Sequence, residues 1–171
     1  MQEYAMGSKE AFRILFDRYE TKLRHFLSLR MSGGLWSEQE DVFQVVWLKI
    51  HQARKQFNPQ KRFSAWFFAI AWNSLYDRYR KLNFDEDEGD WEVTEASSLG
   101  SDALLSLKQD LLQLSKLLKE LSPRQREVLL LSDFEELSAE EISKILEISS
   151  GAVRQDLFRA RQILRRKWKN S

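Results

Sequence analysis

The chain has 171 residues, of which 43% are hydrophobic and 31% charged, a balance that suits one or two globular domains with a modest core. It holds no cysteine, which excludes disulfides and cysteine-ligated metals and fits a reducing cytosol. There is no signal-peptide pattern and no apolar run near about 18 residues, so neither secretion nor membrane insertion is expected. No nucleotide-binding loop, metal-ligand spacing or nucleophile–histidine pairing occurs, so neither an enzyme nor a cofactor is expected. The only two histidines, His25 and His51, are far apart and read as surface or interface residues.

Charge divides the chain into blocks. Residues 1–82 carry 14 Lys/Arg against 8 Asp/Glu, and residues 83–102 carry 8 Asp/Glu with no Lys or Arg. Residues 103–149 carry 6 Lys/Arg against 9 Asp/Glu, and residues 150–171 carry 7 against 1. The acidic run, NFDEDEGDWEVTEASSLGSD, is poor in periodic apolar residues and reads as a linker. A solvated loop inside one domain would have a similar composition. Two domains, over 6–82 and 104–168, joined by a flexible acidic tether over 83–103 fit the block pattern better.

Apolar spacings of three and four dominate, and nothing alternates at period two, so the fold is expected to be all-α. Helices are predicted near 8–30 and 37–56. A third, near 63–82, begins with 63-FSAWFFAIAWNSLYDRYRK-81, which holds seven aromatics and neither Gly nor Pro. Trp66, Phe67 and Phe68 are consecutive, and at about 100° per residue they span more than half the helix circumference. That width exceeds a single core-facing stripe. Either this helix is buried nearly all round or part of its aromatic surface meets something outside the protein.

Four more helices are predicted over 103–120, 123–133, 138–146 and 150–168, making the second domain a four-helix unit. Ser122-Pro123 followed by Gln125, and Ser138 followed by Glu141, are capping boxes that start two of them. Ile142, Ile145 and Leu146 share one face of 138–146. After the short turn Glu147-Ile148-Ser149, Val153, Leu157, Ala160 and Leu164 share a stripe of the last helix. Helix, tight turn and longer amphipathic helix make a helix-turn-helix. Opposite the apolar stripe lie Gln155, Phe158, Arg159, Gln162 and Arg166, with Arg154 at the edge. Such a face fits a major groove, where Arg pairs with guanine, Gln with adenine and an apolar ring with a thymine methyl. A solvated basic hairpin is the alternative for this segment taken alone.

From about Ala5 to Trp168 the chain resembles the extracytoplasmic-function (ECF) sigma factors, the two-domain promoter-recognition subunits of bacterial RNA polymerase. Four segments carry the likeness in order. They are 7-GSKEAFRILFDRYETKL-23, then 40-EDVFQVVWLKI-50, then 63-FSAWFFAIAWN-73 followed by Asp77 and Arg80, and finally 120-ELSPRQREVLLL-131 with 137-LSAEEISKIL-146 and 153-VRQDLFRAR-161. The resemblance implies a cytoplasmic bacterial protein that binds core RNA polymerase and double-stranded and locally melted promoter DNA, with an anti-sigma factor as a further partner. For the −35 element it implies Arg154, Gln155, Phe158, Arg159, Gln162 and Arg166. For the −10 element it implies a base pocket at Ala53 and Phe57 with Lys49 nearby, Asn73 as a base or backbone partner, and Lys61 and Arg62 on phosphates. Trp66, Ile70 and Trp72 are expected in the core. Asp41 and Gln44 would dock on the polymerase clamp, with Trp47 and Leu48 either anchoring that contact or buried in the domain. The acids of the tether would imitate nucleic acid inside the polymerase or simply keep the linker extended.

Some positions depart from the family's pattern. Val45 stands where an acid commonly follows Gln44, and Ala69 where a basic residue is frequent. Glu147 stands where Gly is common in the turn, and Asp156 on the last helix is expected to repel phosphate. Two other functions share parts of the pattern. A helix-turn-helix regulator would act without polymerase, and a sigma-like interaction protein would bind a partner without supporting initiation.

Overall fold

In the computed structural model, residues 1–31, 37–82 and 116–168 are described, with 167 and 168 as backbone only. Their regular structure is entirely helical, without a strand among them, and they fall into two compact units, within residues 1–90 and 91–171. The first unit holds α1 (Gln2–Ala5), α2 (Lys9–Ser28), α3 (Gln39–Ala53) and α4 (Phe63–Lys81). A 3₁₀ turn over Arg54–Gln56 ends α3, where a single helix over 37–56 was expected. The second unit holds a helical stretch over 116–119, then α5 (Pro123–Leu129), α6 (Ala139–Ile145) and α7 (Ser150–Trp168). The predicted linker 83–103 and most of the predicted helix 103–120 lie outside the described residues.

In the first unit, three helices turn apolar faces inward. From α2 come Leu15, Leu23, Phe26 and Leu27, from α3 Val42, Phe43, Val46, Trp47 and Ile50, and from α4 Phe67, Phe68, Ala71 and Leu75. The α3 positions recur at three and four, as one buried helix face requires. Ring contacts knit the helices together: Trp47 lies 4.8 Å from Phe16 and 5.4 Å from Phe67, and Phe26 lies 5.5 Å from Phe68. The aromatic excess of α4 is thereby explained on two sides. Phe67 and Phe68 fill the core, while half-buried Phe63 and Trp66 pack on Phe57 at 5.9 and 5.3 Å. Helix α1 was not anticipated, because four residues are too few to show a period. Its Tyr4 is buried, 5.2 Å from the Phe12 ring, with its hydroxyl hydrogen-bonded to Nδ1 of the exposed His51 at 2.8 Å.

The described core of the second unit is aliphatic, built from Leu117, Leu118, Leu121, Val128, Leu129, Leu130, Leu131, Leu137, Ile142, Ile145, Val153 and Ala160. Both predicted capping boxes are present, at Ser122 with Gln125 and at Ser138 with Glu141. Arg126 is buried and donates from Nε to the Leu118 carbonyl at 2.9 Å and from Nη2 to the Leu121 carbonyl at 3.3 Å. Its guanidinium thus satisfies carbonyls at the end of the preceding helical turn. Helix α5 widens into a π turn over Leu130–Phe134, where a plain α-helix to 133 was expected. In the hairpin turn, Glu147 adopts φ +55°, and the Ile148 amide donates to the Ser143 carbonyl at 3.1 Å. That is the bond of a Schellman stop, whose left-handed position favours Gly. Ser149 then accepts from the Ala152 amide at 3.1 Å and caps α7.

Candidate nucleic-acid interfaces

Helix α7 packs against α5 and α6 through Val153, Leu157, Ala160 and Leu164, of which Val153 and Ala160 are fully buried. The rotation that buries this stripe turns the opposite face outward. Arg154, Gln155, Phe158, Arg159, Gln162 and Arg166 are all exposed, and Phe158 is 68% accessible. An aromatic ring that open lies idle in an isolated unit, and it suits an apolar or stacked partner. Ion pairs flank the face. Arg154 pairs with Glu140 of α6, and Arg161 forks onto Asp133 of the π turn, its Nε 3.3 Å from Oδ2.

Asp156 departs from its expected role. It is buried, its carboxylate accepting from Arg124 Nε at 2.6 Å and Nη2 at 3.5 Å, so it ties α7 to α5 and does not face outward to repel phosphate. Its position explains this, since Asp156 stands between Val153 and Ala160 on the inward side of the helix.

In the first unit, α3 and α4 border an open groove of about 400 Å³. It is lined by Lys49, Gln52 and Ala53 of α3, Gln56 of the 3₁₀ turn, and Ile70 and Asn73 of α4. Three sequence-predicted residues, Lys49, Ala53 and Asn73, therefore converge. Phe57 stands apart from the lining, half-buried against Phe63 and Trp66, and Lys61 and Arg62 are exposed on the loop that leads into α4. Gln52, Gln56 and Ile70 were missed. Helical spacing could have found them, since each lies three residues from a predicted member on the same face. Ile70, expected in the core, is only half-buried and supplies an apolar wall. The Lys49 ammonium lies 3.2 Å from Asp77 Oδ2, and Asp77 also accepts from Arg80 at 2.6 Å. The hydrogen bond from Arg80, then that from Lys49, holds the Asp77 carboxyl below its usual pKa. The ion pair thus persists at neutral pH and orients the ammonium beside the groove. Amides, an ammonium and apolar walls together suit a flat, heteroatom-edged group such as a nucleobase.

A third surface runs along the outside of α3. Asp41, Gln44, Val45 and Leu48 are exposed at helical spacing, with Val45 41% and Leu48 55% accessible. Asp41 lies 3.9 Å from Arg78, and Gln44 donates to Glu40 at 3.5 Å. Trp47 does not belong here: it is 7% exposed, with its ring among Phe12, Phe16, Phe43 and Phe67. It lies about 100° round the helix from Leu48, which carries it into the core and removes it from any docking surface. Val45, read as a departure, supplies apolar area beside Leu48.

Sequence comparison places the chain in a family. The profile of sigma-70 region 2 matches residues 15–84, and that of sigma-70 region 4 matches residues 111–164. The RNA polymerase sigma factor CarQ of Myxococcus xanthus is 32% identical over 96% of this chain and 93% of its own length. The ECF RNA polymerase sigma factor SigW of Bacillus subtilis (strain 168) is 32% identical over 97% of this chain and 93% of its own. Among solved structures, the sigma factor RpoE, crystallised with the anti-sigma factor NepR from Bartonella quintana, superposes with TM-score 0.68 at 25% identity, over 94% of this chain and 98% of that one. CnrH, solved with the cytosolic domain of CnrY, gives TM-score 0.68 over 99% of this chain and 95% of its own, and at 22% identity supports the fold. A free-standing helix-turn-helix regulator would not carry the region 2 match. With both regions present in order and the relatives matched nearly end to end, the chain belongs to the ECF RNA polymerase sigma factors.

Proposed function

We propose that this sigma factor divides promoter recognition between its two units and attaches to polymerase through the outer side of α3. In the first unit, the groove takes a base extruded as the −10 element melts. Ala53 and Ile70 stand in for the neighbouring bases on which it was stacked, and the amides of Asn73, Gln52 and Gln56 meet its polar edge. Lys49, Lys61 and Arg62 draw in the backbone, and Phe57 braces the loop beside the groove. In the second unit, α7 enters the major groove of the −35 element. Gln155, Phe158, Arg159 and Gln162 face base edges, with Arg154 and Arg166 at the margins.

Asp41, Gln44, Val45 and Leu48 dock on the polymerase clamp, where an apolar pair inside a polar rim follows the anatomy of protein interfaces. The chain performs no catalysis of its own and works in the cytoplasm, where core polymerase is. An anti-sigma factor is a further partner, a reading supported by the complex of the relative RpoE with NepR. Among the described residues no helix is long and apolar enough to cross a membrane.

The observation that carries this reading is the convergence of Lys49, Ala53 and Asn73, from two helices, on one groove of amides and apolar walls. Run-off transcription with core polymerase on a promoter library tests it. Selective initiation is expected, lost in Asp41→Ala and Gln44→Ala through failed polymerase binding. In Asn73→Ala it is lost at promoter opening, with polymerase binding retained. A chain that ignores core polymerase at low salt while properly folded would overturn the proposal.

A further inference from the structure

The arginines of α7 fall into two groups by what they face. At about 100° per residue, Arg154 and Arg161 lie on one flank of the exposed face, with Arg165, which has no ion pair among the described residues, between Arg154 and Phe158, while Arg159 and Arg166 lie on the other beside Gln155 and Gln162. On the first flank, Arg154 is held by Glu140 and Arg161 by both carboxylate oxygens of Asp133. On the second, neither Arg159 nor Arg166 has an ion pair among the described residues.

Folding does not account for the paired flank. The side chains of Arg154 and Glu140 are each 60% exposed, and those of Arg161 and Asp133 are 45% and 36% exposed. Ion pairs this open to water contribute little to stability. The contrast within the same unit is Asp156, whose side chain is only 4% exposed where it meets Arg124. A carboxylate and a phosphate are also alike to a guanidinium, since both accept its parallel N–H pair. A backbone phosphate that approaches Arg154 or Arg161 meets the carboxylate beside it as a like charge, whether it displaces that carboxylate or takes the remaining donors. A guanine edge carries no net charge and avoids that repulsion, and Arg154 can give two of its five donors to a base while keeping another on Glu140.

We infer that Glu140 and Asp133 are specificity-setting residues, internal competitors that deny Arg154 and Arg161 to phosphate and so keep the affinity of α7 for unrelated DNA low. The inference rests on the reading that α7 contacts DNA and adds to it the acids that set its discrimination. Nonspecific, salt-dependent attraction then comes mainly from arginines outside these pairs, Arg165 and Arg166 among them, and Arg154 and Arg161 add little to it.

The test uses the full chain, with binding to a promoter duplex and to an unrelated duplex measured across a salt series. In Glu140→Gln combined with Asp133→Asn, binding to the unrelated duplex tightens, and the slope of log K against log salt steepens by up to about 0.9 per released arginine. The ratio of promoter to unrelated affinity falls. Adding Arg154→Ala and Arg161→Ala to those variants returns the slope to that of the parent. Glu147→Gln removes one charge from the same hairpin without freeing an arginine, and it leaves the slope nearly unchanged. Thermal melting of each variant checks that the unit remains folded. An unchanged slope in the folded double variant, or equal steepening per charge in Glu147→Gln, overturns the inference while leaving the function above intact. If Arg159→Ala also fails to weaken either duplex, α7 does not meet DNA, and both readings fall together.

Discussion

In the first unit, Lys49 and Ala53 of α3 meet Ile70 and Asn73 of α4 along one groove, whereas in the second every candidate for DNA projects from α7 alone. Their cores differ as well, with interlocked rings around Trp47 and Phe67 in one and Leu, Ile and Val side chains in the other. A surface carried by one helix needs only that helix and something to bury its back. A groove between two helices exists only while the packing beneath it holds their spacing. The first site should therefore be sensitive to the core and to added volume, and the second to side chains removed from its face.

The largest effect should come from the core under the groove. Trp47→Ala removes a buried indole from its place among Phe12, Phe16, Phe43 and Phe67, and should cost about 3–5 kcal/mol in chemical denaturation. Binding of single-stranded −10 DNA should weaken with it even where the variant remains folded. Leu48→Ala, one residue along and 55% exposed, should shift stability by less than about 0.5 kcal/mol and weaken polymerase binding instead. If both variants behave alike, the division of α3 into a core face and a docking face is wrong.

The two proposed DNA sites can be separated by opposite changes. Ala53→Leu adds volume to the groove wall and should lower affinity for the single-stranded −10 element by roughly 1–3 kcal/mol, the worth of one stacked base. Duplex binding by the second unit should not change. Arg159→Ala removes a side chain from the outer face and should cost about 1–3 kcal/mol on the −35 duplex if it reads a base. An equal loss on every sequence would reduce Arg159 to a phosphate contact.

What the sequence made legible follows the same division. The face of α7 could be read from periodicity alone, because a single helix converts spacing into direction. Val153 and Ala160 are buried and Gln155 and Arg159 exposed, as expected. Both capping boxes were equally local and equally clear. The groove was not accessible in that way. Resemblance supplied Lys49, Ala53 and Asn73, and a spacing of three sets Gln52, Gln56 and Ile70 beside them, but that the two helices share one groove emerges only once α3 and α4 are packed. Trp47 and Leu48 show the limit most sharply, since adjacent apolar residues on a helix give no sign of which one the core will take. Asp156 misled for a related reason: its charge suggested solvent, while its place between Val153 and Ala160 put it inside, where Arg124 answers it.

That last pair offers a smaller test. Asp156→Ala should destabilise the second unit by roughly 1–2 kcal/mol, less than for a fully buried pair because the Arg124 side chain is 60% exposed and keeps its hydration. DNA affinity, compared at equal folded fraction, should stay the same. If Asp156 faced the phosphate backbone instead, its removal would tighten binding and steepen the salt dependence.

The smallest effect lies in the hairpin turn. Glu147 holds φ +55°, a conformation that costs a residue with a Cβ about 1–2 kcal/mol relative to right-handed backbone. Glycine escapes that cost but loses roughly 0.4–1 kcal/mol through the greater freedom of its unfolded chain. Glu147→Gly should therefore stabilise the second unit by about 1.5 kcal/mol at most, seen as a higher denaturant midpoint with an unchanged slope. Glu147→Ala keeps the Cβ and hence the strain, so it should be nearly neutral and shows that loss of the carboxylate is not the cause. The turn also sets the angle between α6 and α7 through the Ile148–Ser143 bond, which glycine retains, so −35 affinity should not move. A loss of affinity in Glu147→Gly at full stability would mean that the strained turn, as well as the face of α7, takes part in aiming the helix.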